Sequence, residues 1–310
     1  MRANGDGTAV VVGFVGAGVM GQAMVRRLAA QGHTVRAWNR TQERLQGVDD
    51  DTRVEVMSTP RDVVHGAELI ITSVADEEAL QSVVMGADGL LGALAPGQLI
   101  ANMSTVSPLA SRRLAGVVEQ NGGQLLDVGI LGNRMHAEKG ELRMYVGGRE
   151  DAVARARPIL EQLSKEIVHA GDVGAGMAVK IALNLLMGIE MQALAEASLL
   201  GVRLGVERGL LLECLSASGY SSPVMSFKAR RMIDNRYEDP DFRLALMTKD
   251  LGLVVEQARL GGFELPAAEA AHRSHVQAVE AGHGEDDCAV IATAFDALQP
   301  AGNGTRQVES

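Results

Sequence analysis

The stretch Val11-Val12-Gly13-Phe14-Val15-Gly16-Ala17-Gly18-Val19-Met20-Gly21 decides the fold. A β-branched run from Ala9 to Val15 reads as a strand, the glycines as a turn, and Gln22 to Gln31 as a helix with Met24, Val25, Leu28 and Ala29 at helical spacing. His33 to Trp38 gives a second strand, which closes a βαβ unit of about 30 residues, the size a parallel crossover needs.

Working outward, strand-like runs recur at Val54-Val56, Glu68-Val74, Leu99-Met103, Gln124-Ile130, Arg143-Val146 and Glu166-Ala170, most of them separated by helical patterning. This alternation predicts a mostly parallel sheet with helices on both faces. After Gly171 the strand runs stop, and helices are expected near 175–204, 206–217, 223–234, 243–261, 266–281 and 286–297. The expected architecture is an α/β, Rossmann-type, doubly wound sheet over residues 8–171, then an all-α domain over 172–298. A tail at 299–310 is read as disordered.

The 310 residues are 46% hydrophobic and 22% charged, an ordinary globular balance that suffices for two domains. A net charge of -10 argues against nucleic acid or an anionic membrane as a partner. Cys214 and Cys288 make no disulfide framework, and the start of the chain shows neither a signal peptide nor a membrane span, so a soluble, cytoplasmic protein is expected. His272, His275 and His283, with Glu285, Asp286 and Asp287, read as solvated surface, and no metal is assigned.

A glycine triplet that ends a strand and opens a helix is a dinucleotide-binding signal. Gly16 permits the turn, Gly18 lets backbone approach a pyrophosphate, and Gly21 lets helix and strand close up; Ala17, Val19 and Met20 complete the loop. The end of the second strand reads Asn39-Arg40-Thr41, with no acid to accept a ribose 2′-OH. Arg40 and Thr41 suit a 2′-phosphate, so NADP (NADPH) is the expected cofactor. Ser73-Val74-Ala75-Asp76 and Asn102-Met103-Ser104-Thr105 follow two further strands; Ser107 before Pro108 fits a helix N-cap, which leaves Ser104 and Thr105 as ligand candidates.

The run from Gly174 to Leu204 is apolar all round and reads as a long buried helix bridging domains or subunits. Lys180 is its anomaly, with Asn184 one turn on along the same face. Met177, Met187 and Met191 read as core filler.

Gly13-Phe14-Val15-Gly16-Ala17-Gly18-Val19-Met20-Gly21, Asn39-Arg40-Thr41, Met103-Ser104-Thr105, Gly174-Ala175-Gly176 with Lys180 and Asn184, and Phe242 with Lys249-Asp250 together resemble the β-hydroxyacid dehydrogenase family, over nearly the whole chain. The resemblance implies hydride transfer between NADP(H) and a small aldehyde, ketone or β-hydroxy acid. It also implies Lys180 as acid/base, Asn184 and Ser104 as substrate ligands, and Val74, Thr105 and Lys249 as cofactor contacts. A homodimer or homotetramer is implied too. The family's loop Asp-x-Pro-Val-Ser-Gly-Gly is replaced by Asp127-Val128-Gly129-Ile130-Leu131-Gly132-Asn133, followed by Arg134-Met135-His136, so Gly132 and Asn133 stand where a substrate carboxylate would be cradled. Leu131 and Met135 suit a larger, less polar or differently anchored substrate.

Two rival readings share this plan. Imine reductases resemble it but carry Asp or Tyr where Lys180 stands, and a catalytically silent cofactor-binding interaction protein would have no use for Lys180, Asn184 and Ser104 together. For the acid/base role the lysine pKa, ordinarily about 10.4, must fall to about 7.4, which takes roughly 4 kcal/mol of destabilisation of the ammonium.

Overall fold

The computed structural model describes residues 9–48 and 52–298; the tail at 299–310 lies outside them. The chain forms two compact units, Met1–Ile181 and Ala182–Ser310, and the division falls inside one helix.

The first unit is built on an eight-stranded sheet. Its elements are β1 (Val11–Val15), α1 (Val19–Ala30), β2 (Thr34–Trp38), β3 (Val54–Val56), β4 (Leu69–Thr72), α2 (Glu77–Met85), β5 (Leu99–Asn102), α3 (Pro108–Gln120), β6 (Gln124–Leu131), α4 (Arg134–Lys139), β7 (Leu142–Gly147), α5 (Glu150–Leu160) and β8 (Ser164–Gly171). Their order across the sheet is β3-β2-β1-β4-β5-β6-β7-β8, and every pair is parallel except β6 with β7. The first six positions are the doubly wound order, which reverses direction between β1 and β4, and ligands bind beyond the carboxyl ends of strands at such a reversal.

Continuous apolar runs make these central strands. Leu69, Ile70 and Ile71 of β4 and Leu99, Ile100 and Ala101 of β5 are all buried, as expected of strands covered on both faces. One core joins Phe14, Met24, Leu28, Leu69, Leu126 and Met144; the other joins Val15, Ile70, Leu80, Ile100, Leu114 and Met177. Ser107 caps α3 by accepting from the Ala110 N–H at 3.0 Å, with Pro108 opening the helix.

The long helix α6 (Ala175–Arg203) follows, then α7 (Arg208–Ala217), α8 (Pro223–Asp234), α9 (Leu244–Gly261), α10 (Pro266–Ala278) and α11 (Ile291–Leu298). By length and composition alone α6 could cross a bilayer. Met177 nevertheless packs in the second core of the sheet unit, and Met191, Leu194 and Ala195 pack in the core of the helical unit with Leu212, Met247, Leu251 and Ile291. The expectation of a helix buried all round is corrected: Leu186 and Leu200 are 60% and 62% exposed, because an all-apolar pattern cannot say which flank meets a neighbour.

The histidine reading is also corrected in part. His275 is wholly buried between helical turns, with Nδ1 2.8 Å from the Ala271 carbonyl. Burial depresses its pKa to about 4, helped by nearby His272, and the Ala271 carbonyl opposes the shift. Among the described residues no group of three or more His, Cys, Asp or Glu could hold a metal.

Candidate functional site

The glycine turn sits at the reversal of the sheet. Gly16 has φ +103°, and a Cβ there would lie 2.2 Å from the Ser73 carbonyl oxygen, so β1 and the chain leaving β4 approach backbone to backbone. A Cβ on Gly21 would meet the Gly16 carbonyl at 2.0 Å. At Gly18, by contrast, a Cβ would meet nothing within 4 Å. Gly18 caps α1 without any side-chain bond, and no acid occupies the helix's first turn. Open space at a helix N-terminus with positive potential fits a pyrophosphate. Ala17 is buried, Met20 packs on the core, and Val19 is half exposed at the turn.

Asn39 ties this turn to the end of β2. Its Oδ1 accepts from the Ala17 N–H at 2.9 Å and its Nδ2 donates to the Thr41 carbonyl at 2.7 Å. Asn39 is thus used as a brace, while Arg40 and Thr41 stand exposed just beyond it.

A second set of groups gathers at the ends of β4 and β5. Thr72 Oγ1 donates to Asn102 Oδ1 at 2.9 Å, and that oxygen also accepts from the Ser104 N–H at 3.0 Å. Ser104 Oγ accepts from the Val74 N–H at 2.9 Å, which fixes the oxygen and leaves its proton and one lone pair for a ligand. Ser104 is 2% exposed, and Thr105 beside it is half-buried. Asn102 organises this cluster from the strand end; only the contacts with Thr72 and Ser104 reveal it.

Lys180 is seated by β6. Asp127 accepts from the Gly174 and Met177 N–H groups at 2.6 and 2.7 Å and so fixes the start of α6. Burial raises its pKa above the usual carboxylate value, opposed by those two amides and by Arg112. Two residues on, a Cβ at Gly129 would lie 2.7 Å from the Gly176 carbonyl and 2.8 Å from Lys180 Cβ, so the helix lies directly on the strand. Lys180 itself is half-buried rather than sealed in an apolar interior.

In the helical unit, Asn184 is 3% exposed and its Nδ2 donates to Asp250 Oδ2 at 2.5 Å. Lys249 Nζ lies 3.1 Å from Asp250 Oδ1, close enough for an ion pair without the alignment of a hydrogen bond. Asp250 therefore fixes which end of the Asn184 amide is spent and leaves its oxygen as the acceptor. The sequence reading names Asp250 only as a neighbour of Lys249, since its partner lies 66 residues away.

Residues 11–171 match the NAD binding domain of 6-phosphogluconate dehydrogenase, and residues 174–294 match the NAD-binding domain of NADP-dependent 3-hydroxyisobutyrate dehydrogenase. The chain belongs to the β-hydroxyacid dehydrogenase family. It is 31% identical to 2-(hydroxymethyl)glutarate dehydrogenase of Eubacterium barkeri over 93% of this chain and 96% of that protein. It is 32% identical to 3-hydroxyisobutyrate dehydrogenase of Pseudomonas aeruginosa over 80% and 85%. The structure of 3-hydroxyisobutyrate dehydrogenase of Mycobacterium tuberculosis with L-serine is similar at a TM-score of 0.82 and 26% identity, covering 93% of this chain and 99% of that one. An imine reductase from Pseudomonas sp., with TM-score 0.60 and 22% identity over 93% and 100%, shares the fold alone. As a β-hydroxyacid dehydrogenase this chain is an NAD(P)-dependent oxidoreductase, and its relatives act on small hydroxy acids.

The turn after β6 carries the remaining candidate residues. Asn133 caps α4 in a mutual bond with His136, and Gly132, at φ +140°, is hemmed in by Leu142 and His136. Leu131 and Met135 are 36% and 54% exposed.

Proposed function

We propose that this β-hydroxyacid dehydrogenase interconverts a small aldehyde or ketone and the matching alcohol or hydroxy acid with NADP(H), and that Lys180 moves the proton. The observation that carries the reading is the seat of Lys180 against Gly129, in the same unit as the open glycine turn. A bound nicotinamide would supply or accept the hydride at the carbonyl carbon.

The chain's own residues do the rest. In reduction the Lys180 ammonium donates a proton to the oxygen as negative charge develops on it, and in oxidation the neutral amine takes the proton back. The Ser104 hydroxyl, braced by the Val74 amide, donates a hydrogen bond to the substrate. Asn184, held by Asp250, offers its carbonyl oxygen as an acceptor and does not itself titrate. Val19, Val74, Thr105 and Lys249 are assigned to the cofactor.

Arg40 supports NADP over NAD: an exposed guanidinium at the end of β2 suits a 2′-phosphate, and the Asn39 brace supplies no carboxylate for a ribose 2′-OH. The exposed Leu186, Leu200, Leu204 and Leu210 of the helical unit support a homodimer or homotetramer. The test is a panel of small aldehydes and ketones assayed with NADPH and NADH. Carbonyl-dependent oxidation, faster with NADPH, is expected. Cofactor binding without turnover of any member would instead favour a silent binding protein.

A further inference from the structure

Three residues on one face of β6 define the ground beside Lys180. Asp127 anchors the start of α6, Gly129 receives Lys180, and the next residue on that face is Leu131, 36% exposed. The pairing of β6 with β7 runs without a shift from Asp127 opposite Gly147 to Leu131 opposite Arg143, so side-chain alternation holds through Leu131. Two strand residues span about 6.6 Å, so Leu131 lies that far along the strand from the residue that meets Lys180.

Asn133 and His136, which follow, are engaged with each other. Asn133 Oδ1 accepts from the His136 N–H at 3.3 Å, and His136 Nδ1 lies 2.7 Å from that same oxygen and 3.2 Å from Asn133 N. With Nδ1 unprotonated the imidazole accepts from the Asn133 N–H, and with Nδ1 protonated it donates to Asn133 Oδ1. Gly132 is flanked by Leu142 and His136, to which a Cβ would come within 2.8 and 3.1 Å. Met135, 54% exposed, opens α4 on the surface. Arg134 is the cation of this turn, and its Nε extends to within 3.8 Å of Glu138. A carboxylate lying against this strand end would meet the Leu131 side chain, which offers no hydrogen bond to offset its desolvation.

We infer that the part of the substrate resting on this strand end is uncharged and apolar: Leu131 is the specificity-determining contact, and the chain takes a carbonyl compound whose substituent is alkyl or ester rather than carboxylate. The inference rests on the reading of Lys180 as the acid beside the reacting carbonyl. It narrows that reading to a class of substrate.

The test uses matched pairs at two chain lengths, each an ω-oxo acid and its methyl ester (4-oxobutanoate and 5-oxopentanoate with their esters), in steady-state assays with NADPH. The native chain is expected to show kcat/KM at least about tenfold higher for the esters. L131S is expected to bring the ratio to within about threefold, chiefly through KM for the ester, with an unaltered NADPH dissociation constant certifying the fold. A native preference for the acids would overturn the inference and leave Lys180 chemistry standing. Loss of that preference in R134A would then name Arg134 as the anchor. An ester preference that L131S leaves unchanged would overturn the role of Leu131. Turnover of none of the four would overturn the underlying reading and the inference with it.

Discussion

A single added methyl at Gly129 probes how tightly the chemistry depends on the strand beneath Lys180. A Cβ at that position would lie 2.8 Å from Lys180 Cβ and 2.7 Å from the Gly176 carbonyl oxygen, both backbone-proximal atoms that no side-chain rotation can move away. Ordinary carbon contacts begin at about 3.5 Å, so α6 must lift by roughly 0.7 Å at Lys180. Overpacking of this size costs about 1–3 kcal/mol, and a displacement approaching 1 Å at a catalytic group costs up to about a hundredfold in rate. Gly129→Ala is therefore expected to lower kcat by roughly 10- to 100-fold and the melting temperature by about 2–10 °C, while the NADPH dissociation constant stays within about threefold. The assay is single-turnover cofactor oxidation by stopped-flow absorbance, paired with a thermal melt and a cofactor titration. A folded G129A protein with kcat within twofold of the native value would refute the argument that the β6 seat sets the position of the proton donor.

Further expectations follow from other parts of the structure. Arg40→Asp should cost about 10- to 100-fold in kcat/KM for NADPH and raise that for NADH, since a charge-assisted bond of about 1.5–3 kcal/mol is exchanged for repulsion; an unaltered cofactor ratio would dismiss Arg40 as the discriminator. Asp250→Asn, which turns the carboxylate facing Asn184 Nδ2 into an amide, should lower kcat/KM for the carbonyl at least about tenfold with cofactor affinity kept, and no change would mean that the orientation of Asn184 is immaterial. His275 is neutral in the folded chain, with a pKa of about 4 against an unfolded 6.5, so the unfolded state binds the extra proton between those values. Its contribution is fully present above pH 6.5 and is lost as pH falls through 4, a difference of roughly 3 kcal/mol. Urea unfolding should show that much less pH dependence in His275→Leu, and an identical slope in both proteins would assign the acid sensitivity elsewhere.

Much of this architecture is legible before any coordinates. Gly16, Gly18 and Gly21 declare the strand, turn and helix because their spacing answers local steric needs, and the apolar runs at Leu69-Ile70-Ile71 and Leu99-Ile100-Ala101 announce strands covered on both sides. Lys180 stands out because a charge in an apolar helix is costly, a property visible in one dimension. What stays hidden depends on contacts far apart in sequence. Asp127 reaches Gly174 and Met177 across 47 and 50 residues, and Asp250 holds Asn184 across 66. The loop after β6 misleads for the opposite reason: Asn133 looks like a failed glycine until its bond to His136 shows it to be a helix cap. His275 looks like part of an acidic surface until its complete burial on α10 is seen. Arg40 lies just past the end of β2, where the strand pattern puts it.

The central claim is that the amine of Lys180 supplies the proton to the reduced carbonyl. It is met most directly by kcat for Lys180→Ala in the reducing direction, with NADPH affinity measured on the same preparation. A loss of several orders of magnitude in kcat, roughly 10³-fold or more, with cofactor binding within a few-fold, is what the account predicts. Turnover at the native rate by the alanine variant would contradict it.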